Sequence, residues 1–248
     1  MPKFFIKNDQ INGDLVTIKG EDAHHISRSL RMSVGEHINV SDENGMEYEC
    51  ILDSFTDTVV TGKILNKYPS DAESRIRVHL FQALPKGEKL DFIIQKSVEC
   101  GVYDITPFES ERCVVKVKND AEGRKTDRRN KIALEAAKQC GRGIVPNVNS
   151  TVGFEAMLGL ASNSDAVLFC YEGEGTLPMG KVLKKLKNEC NISDISIIIG
   201  SEGGFSPEEA EIARKRSFDM IGLGKRILRA ETAAIMALSC LVYEFELV

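Results

Sequence analysis

Charged side chains able to do chemistry stand beside bare backbone in two stretches. One is Gly200-Ser201-Glu202-Gly203-Gly204-Phe205-Ser206; the other is Leu223-Gly224-Lys225-Arg226-Ile227-Leu228-Arg229-Ala230-Glu231-Thr232-Ala233. Glycine lets a ligand approach main-chain N–H and C=O groups that a side chain would cover. A carboxylate such as Glu202 or Glu231 can exchange a proton, and a guanidinium such as Arg229 can meet negative charge. Glu231 and Arg229 each have a plainer role open to them. Glu231 fits the first turn of a helix starting near Ala230, and Arg229 fits a surface position after a buried Ile227-Leu228 pair.

The flanking elements can be read from pattern. Residues 195–199 are short and β-branched, a buried strand. Ser206-Pro207-Glu208-Glu209 then opens a helix, with Ser206 as N-cap, Pro207 in the first helical position and Glu209 closing a capping box. Two glutamates at the positive end of that helix disfavour a phosphate there and favour a neutral or cationic ligand. Upstream, residues 78–84, 104–108 and 166–171 read as strands. Residues 89–100, 128–140 and 181–188 read as helices, the first two stopped by Gly101 and Gly141. This alternation predicts an α/β domain with a mostly parallel sheet, spanning residues 73–248. Such sheets bind ligands beyond the carboxyl ends of their strands. Tyr171-Glu172-Gly173, the Gly200–Gly204 turn and Leu223-Gly224 all fall at that edge.

Residues 1–72 have a different texture. Short β-like runs at 15–18, 37–40, 48–52 and 59–64 are punctuated by Asn12-Gly13 and Asn44-Gly45, with one amphipathic helix at 22–32. A small β-barrel is expected, with residues 68–74 as the linker. Arg28 and Arg31 would share a helix face and can grip a phosphate or simply be solvated. From 112 to 142 there are ten basic and four acidic residues, a local balance of +6 in a chain of net charge −5. That block suits a phosphate-facing surface, or equally a solvated helix.

Composition excludes several classes. A chain of 248 residues, 42% hydrophobic and 28% charged, is ordinary for a globular protein. Its seven cysteines form no Cys-x-x-Cys pair, as expected of reduced thiols in a cytoplasmic protein. No run reaches membrane-spanning length, and Met1-Pro2-Lys3-Phe4-Phe5 has no signal-peptide core, so no membrane partner is expected. Metal is not expected, because no zinc-ligand spacing or HExxH occurs. Residues 175–182 approach a phosphate-binding loop, yet Val182 stands where Ser or Thr would hold magnesium and Pro178 removes an amide. Gly222-Leu223-Gly224 lacks the third glycine of a dinucleotide fingerprint, and no GxSxG is present.

Taken together, the two glycine stretches resemble the signature of the RsmE family, small-subunit ribosomal RNA methyltransferases of the SPOUT class. The family usually has proline where this chain has Ser201. The resemblance implies S-adenosylmethionine-dependent methylation of a uridine at N(3) in 16S ribosomal RNA. It implies a C-terminal trefoil knot, a rare exception among folds. It also implies a PUA-like RNA-binding domain at residues 1–72, matched by His24-His25, Leu30-Arg31 and Gly35. By the same resemblance, backbone groups of Gly200, Leu223 and Ile227 hold adenine in a pocket closed by Leu168 and Leu228. Tyr171, Glu172, Ser201, Glu202, Gly203, Gly204 and Gly224 complete that cofactor set. Arg229 would stabilise the uracil anion, with Glu202 and Glu231 handling the proton. Gln139-Cys140-Gly141-Arg142, Glu99 and Arg112 match family positions. Arg28, Arg31, Arg112, Arg128, Arg129 and Arg142 are assigned to RNA, either ribosomal RNA or the small subunit. SPOUT enzymes generally dimerise. A C-terminal helix at 232–247 has an apolar stripe (Ile235, Leu238, Val242, Phe245) and further apolar residues outside it (Met236, Cys240, Leu241, Tyr243), which points to a homodimer. Another SPOUT activity, on transfer RNA or a ribose hydroxyl, stays open, as does a non-catalytic ribosome-assembly role that the intact glycine turn disfavours.

Overall fold

The computed structural model describes residues 1–56, 58–116, 122–189 and 191–248. Lys118, part of the basic block, and Cys190 lie outside them. The chain divides into two compact units, residues 1–73 with 137–145, and residues 74–136 with 146–248.

In the first unit, β1 (Lys3–Phe5), β2 (Ile11–Asn12), β3 (Leu15–Lys19), α1 (Gly20–His24), β4 (His37–Ser41), β5 (Met46–Phe55) and β6 (Val59–Pro69) follow in order. The sheet runs β1-β4-β5-β6-β3-β2. Among the described residues of this sheet only the β1–β4 pair is parallel. Alternate residues point inward, so Val16, Ile18, Ile38, Val40, Cys50, Leu52 and Val60 meet Phe4, Ala23 and Ile26 in one core. The β5–β6 register shifts between Glu49 and Cys50 and again between Leu52 and Ser54. Such bulges bend and twist a sheet.

The helix expected at 22–32 is shorter. α1 is followed by a wider π turn, His25–Ser29, closed by Leu30 N–H donating to His25 O at 2.9 Å and Met32 N–H to Ile26 O at 3.0 Å. Arg31 then adopts φ +53°. The chain has left the helix there, so Arg28 and Arg31 share no helix face. Arg142 also departs from its expected RNA role. It is 4% exposed, and its Nε and Nη2 donate to the two carboxylate oxygens of Glu73 at 2.8 and 2.6 Å. A buried arginine in a two-pronged carboxylate grip is a structural fastening.

The second unit contains β7 (Arg77–Ala83), α2 (Lys89–Glu99), β8 (Asp104–Glu109), α3 (Glu122–Cys140, whose last turn falls in the first unit), β9 (Asn147–Val148), β10 (Val152–Gly153) and α4 (Phe154–Ala161). It continues with β11 (Ala166–Cys170), β12 (Leu177–Pro178), α5 (Met179–Lys187), β13 (Asp194–Ile199), α6 (Pro207–Lys215), β14 (Asp219–Gly222) and α7 (Ala230–Val242). The sheet order is β10-β8-β7-β13-β11-β14-β12, with β9 also on β8. Every pairing is parallel. Its central strands are apolar on both faces; Ile195, Ile197, Ile198 and Ile199 of β13 are all buried.

The long elements fall where periodicity predicts. α4 lies outside the expected elements although Phe154, Met157, Leu158 and Ala161 recur at helical spacing, and the two-residue strands are too short to show any period. α3 begins six residues before its expected start, through a polar stretch without apolar periodicity. α7 ends at Val242, and Tyr243–Leu247 form a π turn. Its buried face is Ala230, Ala234, Ala237, Leu238 and Leu241; of the expected stripe Leu238 belongs to it, while Ile235, Val242 and Phe245 are half-buried. The small side chains face inward because they admit close packing against α2, β7 and β13.

Candidate functional site

Beyond the carboxyl ends of β11, β13 and β14 lies a cavity of about 430 Å³. Three loops wall it. The first leaves β13 and enters α6. Gly204 N–H donates to Ser201 O at 2.9 Å, and Gly204 takes φ +63°, which closes a tight turn. A Cβ on Gly200 would stand 3.2 Å from both Gly204 Cα and the Phe205 ring. Phe205 is buried against Phe169, ring centroids 4.3 Å apart, and stacks on Phe108. This anchors the turn to the sheet.

The capping box is formed as expected. Glu209 N–H donates to Ser206 Oγ at 3.2 Å, and Ser206 N–H donates to Glu209 Oε2 at 3.0 Å. The other oxygen of Glu209 accepts from Glu111 N–H at 2.8 Å. A buried carboxylate therefore already serves the positive end of α6, and the site is not built for an anion there.

The second loop joins β14 to α7. Gly224 has φ +106°, Ile227 is 85% exposed, and Arg229 takes the N-cap position with extended backbone. The third leaves β11. Tyr171 N–H donates to Ile221 O at 2.9 Å, and its ring packs over Gly173 with the Arg214 guanidinium above it. Cys170 lines the wall too, but burial pushes its thiol up to about 12, with Cys240 adding to the shift. It is a neutral wall residue at physiological pH, not a nucleophile.

Of the expected cofactor set, Tyr171, Glu172, Gly200, Ser201, Glu202, Gly203, Gly204, Leu223, Gly224, Ile227 and Leu228 all line the cavity. Leu168 does not. It is fully buried mid-strand in β11, between β13 and β14, and its side chain belongs to the core. Arg112, expected at RNA, is a wall residue, its Nη1 donating to Gly203 O at 3.2 Å. Cys170, Thr176, Gly222, Ala230 and Ala233 were missed. Thr176 has a local reason: a Cβ on Gly222 would meet its Oγ1 at 2.9 Å.

The three candidates for chemistry part company. Arg229 is exposed and sits between Leu228 and Ala230, which line the cavity, without lining it itself. Glu202 is in the wall, but its carboxylate accepts from Lys89 Nζ at 2.7 Å and from Lys86 N–H at 3.1 Å. Burial would raise its pKa, yet these bonds, Lys89 foremost, hold it below the usual range. That corrects the expectation of Glu202 as a proton acceptor, because such a carboxylate is a poor base. Glu231 lies outside the wall, one oxygen buried without a hydrogen bond and 4.0 Å from Lys89 Nζ.

Family comparisons decide what this arrangement belongs to. The model of an RNA methyltransferase domain matches residues 72–242, and that of an RNA methyltransferase PUA domain matches residues 18–54. Ribosomal RNA small subunit methyltransferase E of Bacillus subtilis is 34% identical, over 100% of this chain and 98% of that protein. This chain belongs to the RsmE family. The enzyme of the same name from Buchnera aphidicola (Acyrthosiphon pisum) is 30% identical over 97% of this chain and 92% of its own. Among solved structures, the Neisseria gonorrhoeae enzyme bound to S-adenosylmethionine superposes with TM-score 0.82, at 29% identity, over 98% of this chain and 97% of that one. A Legionella pneumophila structure with bound S-adenosylmethionine gives TM-score 0.82 at 30% identity, over 97% and 96%.

Within this RsmE-family chain, the arginines expected at RNA divide by partner. Arg28, Arg31 and Arg112 are exposed. Arg128 is exposed but ion-paired with Asp91. Arg129 is buried, its Nη1 donating to Glu122 at 2.9 Å and to Thr151 Oγ1 at 3.3 Å, so it ties α3 to the segment before β10 and is not an RNA contact. Among the described residues no group of three or more His, Cys, Asp or Glu can hold a metal, and no helix is long and apolar enough to cross a membrane.

Proposed function

We propose that this protein transfers a methyl group from S-adenosylmethionine to N(3) of a uridine in 16S ribosomal RNA. The observation that carries the reading is the cavity at the carboxyl edge, walled by bare backbone, in a chain that aligns end to end with RsmE enzymes. About 430 Å³ lies within the range of small-molecule and cofactor sites. The donor set suits this ligand. Main-chain groups of 200–204 and 223–227 offer both donors and acceptors to an adenine edge, Leu228 and Ala233 offer apolar surface to its faces, and Glu172 offers a carboxylate to a cationic ligand.

The cofactor supplies an activated methyl on a sulfonium, whose departure as a thioether needs no metal and no covalent enzyme intermediate. The protein's work is therefore orientation and charge. The loops must hold the acceptor nitrogen in line, at about 3–3.5 Å. Arg229, next to two wall residues and free of a helix face, is the group we assign to the developing charge on the uracil carbonyls. Glu231 is the remaining candidate for the N(3) proton, since Glu202 is held in its ion pair. Exposed Lys225 and Arg226 at the cavity, with Arg112, Arg28 and Arg31, are cations suited to the phosphate chain.

Three further elements belong to the reading. We read the C-terminal segment as knotted, as the SPOUT resemblance implies; the return of α7 from β14, two strands outward from β13, to pack on β7, β13 and α2 supports that reading. The protein is a homodimer, and it works in the cytoplasm. The test is nucleoside mass spectrometry of 16S ribosomal RNA from a deletion strain. Loss of 3-methyluridine, restored by the wild-type gene but not by Arg229→Ala, is expected. An unchanged 3-methyluridine content would overturn the assignment.

A further inference from the structure

We infer that Lys89 is a positioning residue for the cofactor cavity, clasping the glycine turn through Glu202 and the start of α7 through Glu231. The inference rests on the reading of the cavity as an S-adenosylmethionine site, and it concerns a residue outside the cavity wall.

Lys89 is the first residue of α2, where the helix dipole is positive and a cation is disfavoured. No side chain caps this helix: Glu88 is at the N-cap without such a bond, and Asp91 is taken by Arg128. What accommodates the ammonium is carboxylate from other elements. Its Nζ is 2.7 Å from Glu202 Oε1 and 4.0 Å from Glu231 Oε2. Lys86 N–H adds a second tie to Glu202 at 3.1 Å. One cation thus faces two acids, Glu202 in the glycine turn and Glu231 in the first turn of α7.

The placement of those acids gives the contact its consequence. Glu202 stands between Ser201 and Gly203 in a glycine-rich turn that lines the cavity. Glycine-rich backbone loses much conformational entropy on ordering, so a site made of it is defined only if something outside holds it. Glu231 follows Ala230, a wall residue, and its Oε2 is buried without a hydrogen bond. That oxygen has its nearest cation in Lys89. Losing the ammonium would free the turn and leave the half-buried Glu231 carboxylate without its nearby cation at the start of α7.

Calorimetry of S-adenosylmethionine and S-adenosylhomocysteine binding to the full-length protein tests this, with Lys89→Met, Lys89→Arg, Glu202→Gln and the Lys89→Met/Glu202→Gln pair. Lys89→Met is expected to weaken both ligands about 10-fold, the scale of one charge-assisted hydrogen bond, while Lys89→Arg stays within about 3-fold of wild type. The double variant should lose little more than either single variant, because both remove the same contact. Amide hydrogen exchange at 201–205 in the ligand-free protein should quicken in Lys89→Met and not in Lys89→Arg. Wild-type affinity in Lys89→Met, or additive losses in the pair, would overturn the clasp. Failure of the wild-type protein to bind either ligand would instead overturn the functional reading, and exchange alone would then decide whether the clasp exists.

Discussion

Arg112 lies against Gly203: its guanidinium donates to the Gly203 carbonyl at 3.2 Å, and its Cβ stands 3.0 Å from where a side chain on Gly203 would begin. A side chain on Gly203 would therefore press on Arg112, which would have to give way by a few tenths of an ångström. Gly224 differs, with nothing within 4 Å of a new Cβ but φ at +106°. Gly203→Val is expected to push the turn off Arg112 and weaken S-adenosylmethionine binding by at least about 10-fold, on the scale of a displaced ligand contact. Gly224→Ala should cost about 1 kcal/mol of backbone strain, a fall in Tm of about 2–4 °C, at first with little change in affinity. Calorimetry and thermal melting separate the two; equal affinity in Gly203→Val and wild type would remove the turn from the site.

The basic helix gives a second expectation, altered by what its arginines touch. Arg124, Lys125 and Lys131 are exposed on α3, whereas Arg129 is buried on Glu122 and Thr151. If the exposed residues track phosphates, Arg124→Ala with Lys131→Ala should lower the slope of log affinity against log salt by about 2, measured on 16S RNA fragments. Arg129→Ala should instead destabilise the fold, by about 1–3 kcal/mol, because Glu122 loses its cation but keeps its bonds from Thr151. A salt slope unmoved by the first pair would return this face to plain solvation.

Legibility in the sequence followed the range of the interaction. The β13 strand, its glycine turn and the Ser206–Glu209 capping box are local patterns, and they stand where periodicity and cap chemistry put them. Arg142 was visible as a charge, but its partner Glu73 is 69 residues away, so burial could not be read. Lys89 and Glu202 are 113 residues apart, and no local pattern pairs them. Leu168 sits in a strand that is apolar on both faces, where no alternation marks which side chain reaches the cavity. In α7 the inward face is built on alanines, which hydropathy ranks below the isoleucine and phenylalanine beside them.

At the amino end of the parallel sheet, His79 sets a pH dependence. Its Nδ1 is 3.0 Å from Asp104 and its Nε2 3.1 Å from Asp194, with Arg77 also on Asp194 and the Tyr103 ring edge-on to the imidazole. The Asp104 bond chiefly, helped by Asp194 and opposed by burial, raises the His79 pKa. Burial would raise Asp194 as well, but bonds from Arg77, His79 and Ser193 hold it down at about 2. For the histidine, stability is full below its unfolded pKa of about 6.5 and is lost as pH rises through the folded value. For the aspartate it is full above about 3.9 and is lost as pH falls toward the folded value. Denaturant unfolding across pH should thus show stability from this network greatest between those limits. His79→Gln should flatten the decline above about pH 6.5; an identical decline in the variant would place its cause elsewhere.

The last expectation concerns assembly. Phe92 on α2 and Met236 on α7 are exposed apolar side chains on two helices that pack together, and Tyr243 follows at 60% exposure. Single exposed apolar residues are ordinary, but several on adjoining helices suit a subunit interface. A two-fold interface uses the same patch on both partners, so one substitution acts twice. The wild-type protein is expected to sediment at twice 27.4 kDa at micromolar concentration. Met236→Lys with Tyr243→Lys should shift it to the monomer mass, since each copy would bring two cations against its own image. Both substitutions lie on exposed positions, so the monomer should keep its fold and its circular dichroism. A wild-type protein that sediments as a monomer would exclude the dimer, and a doubly substituted protein that still dimerises would move the interface to another face.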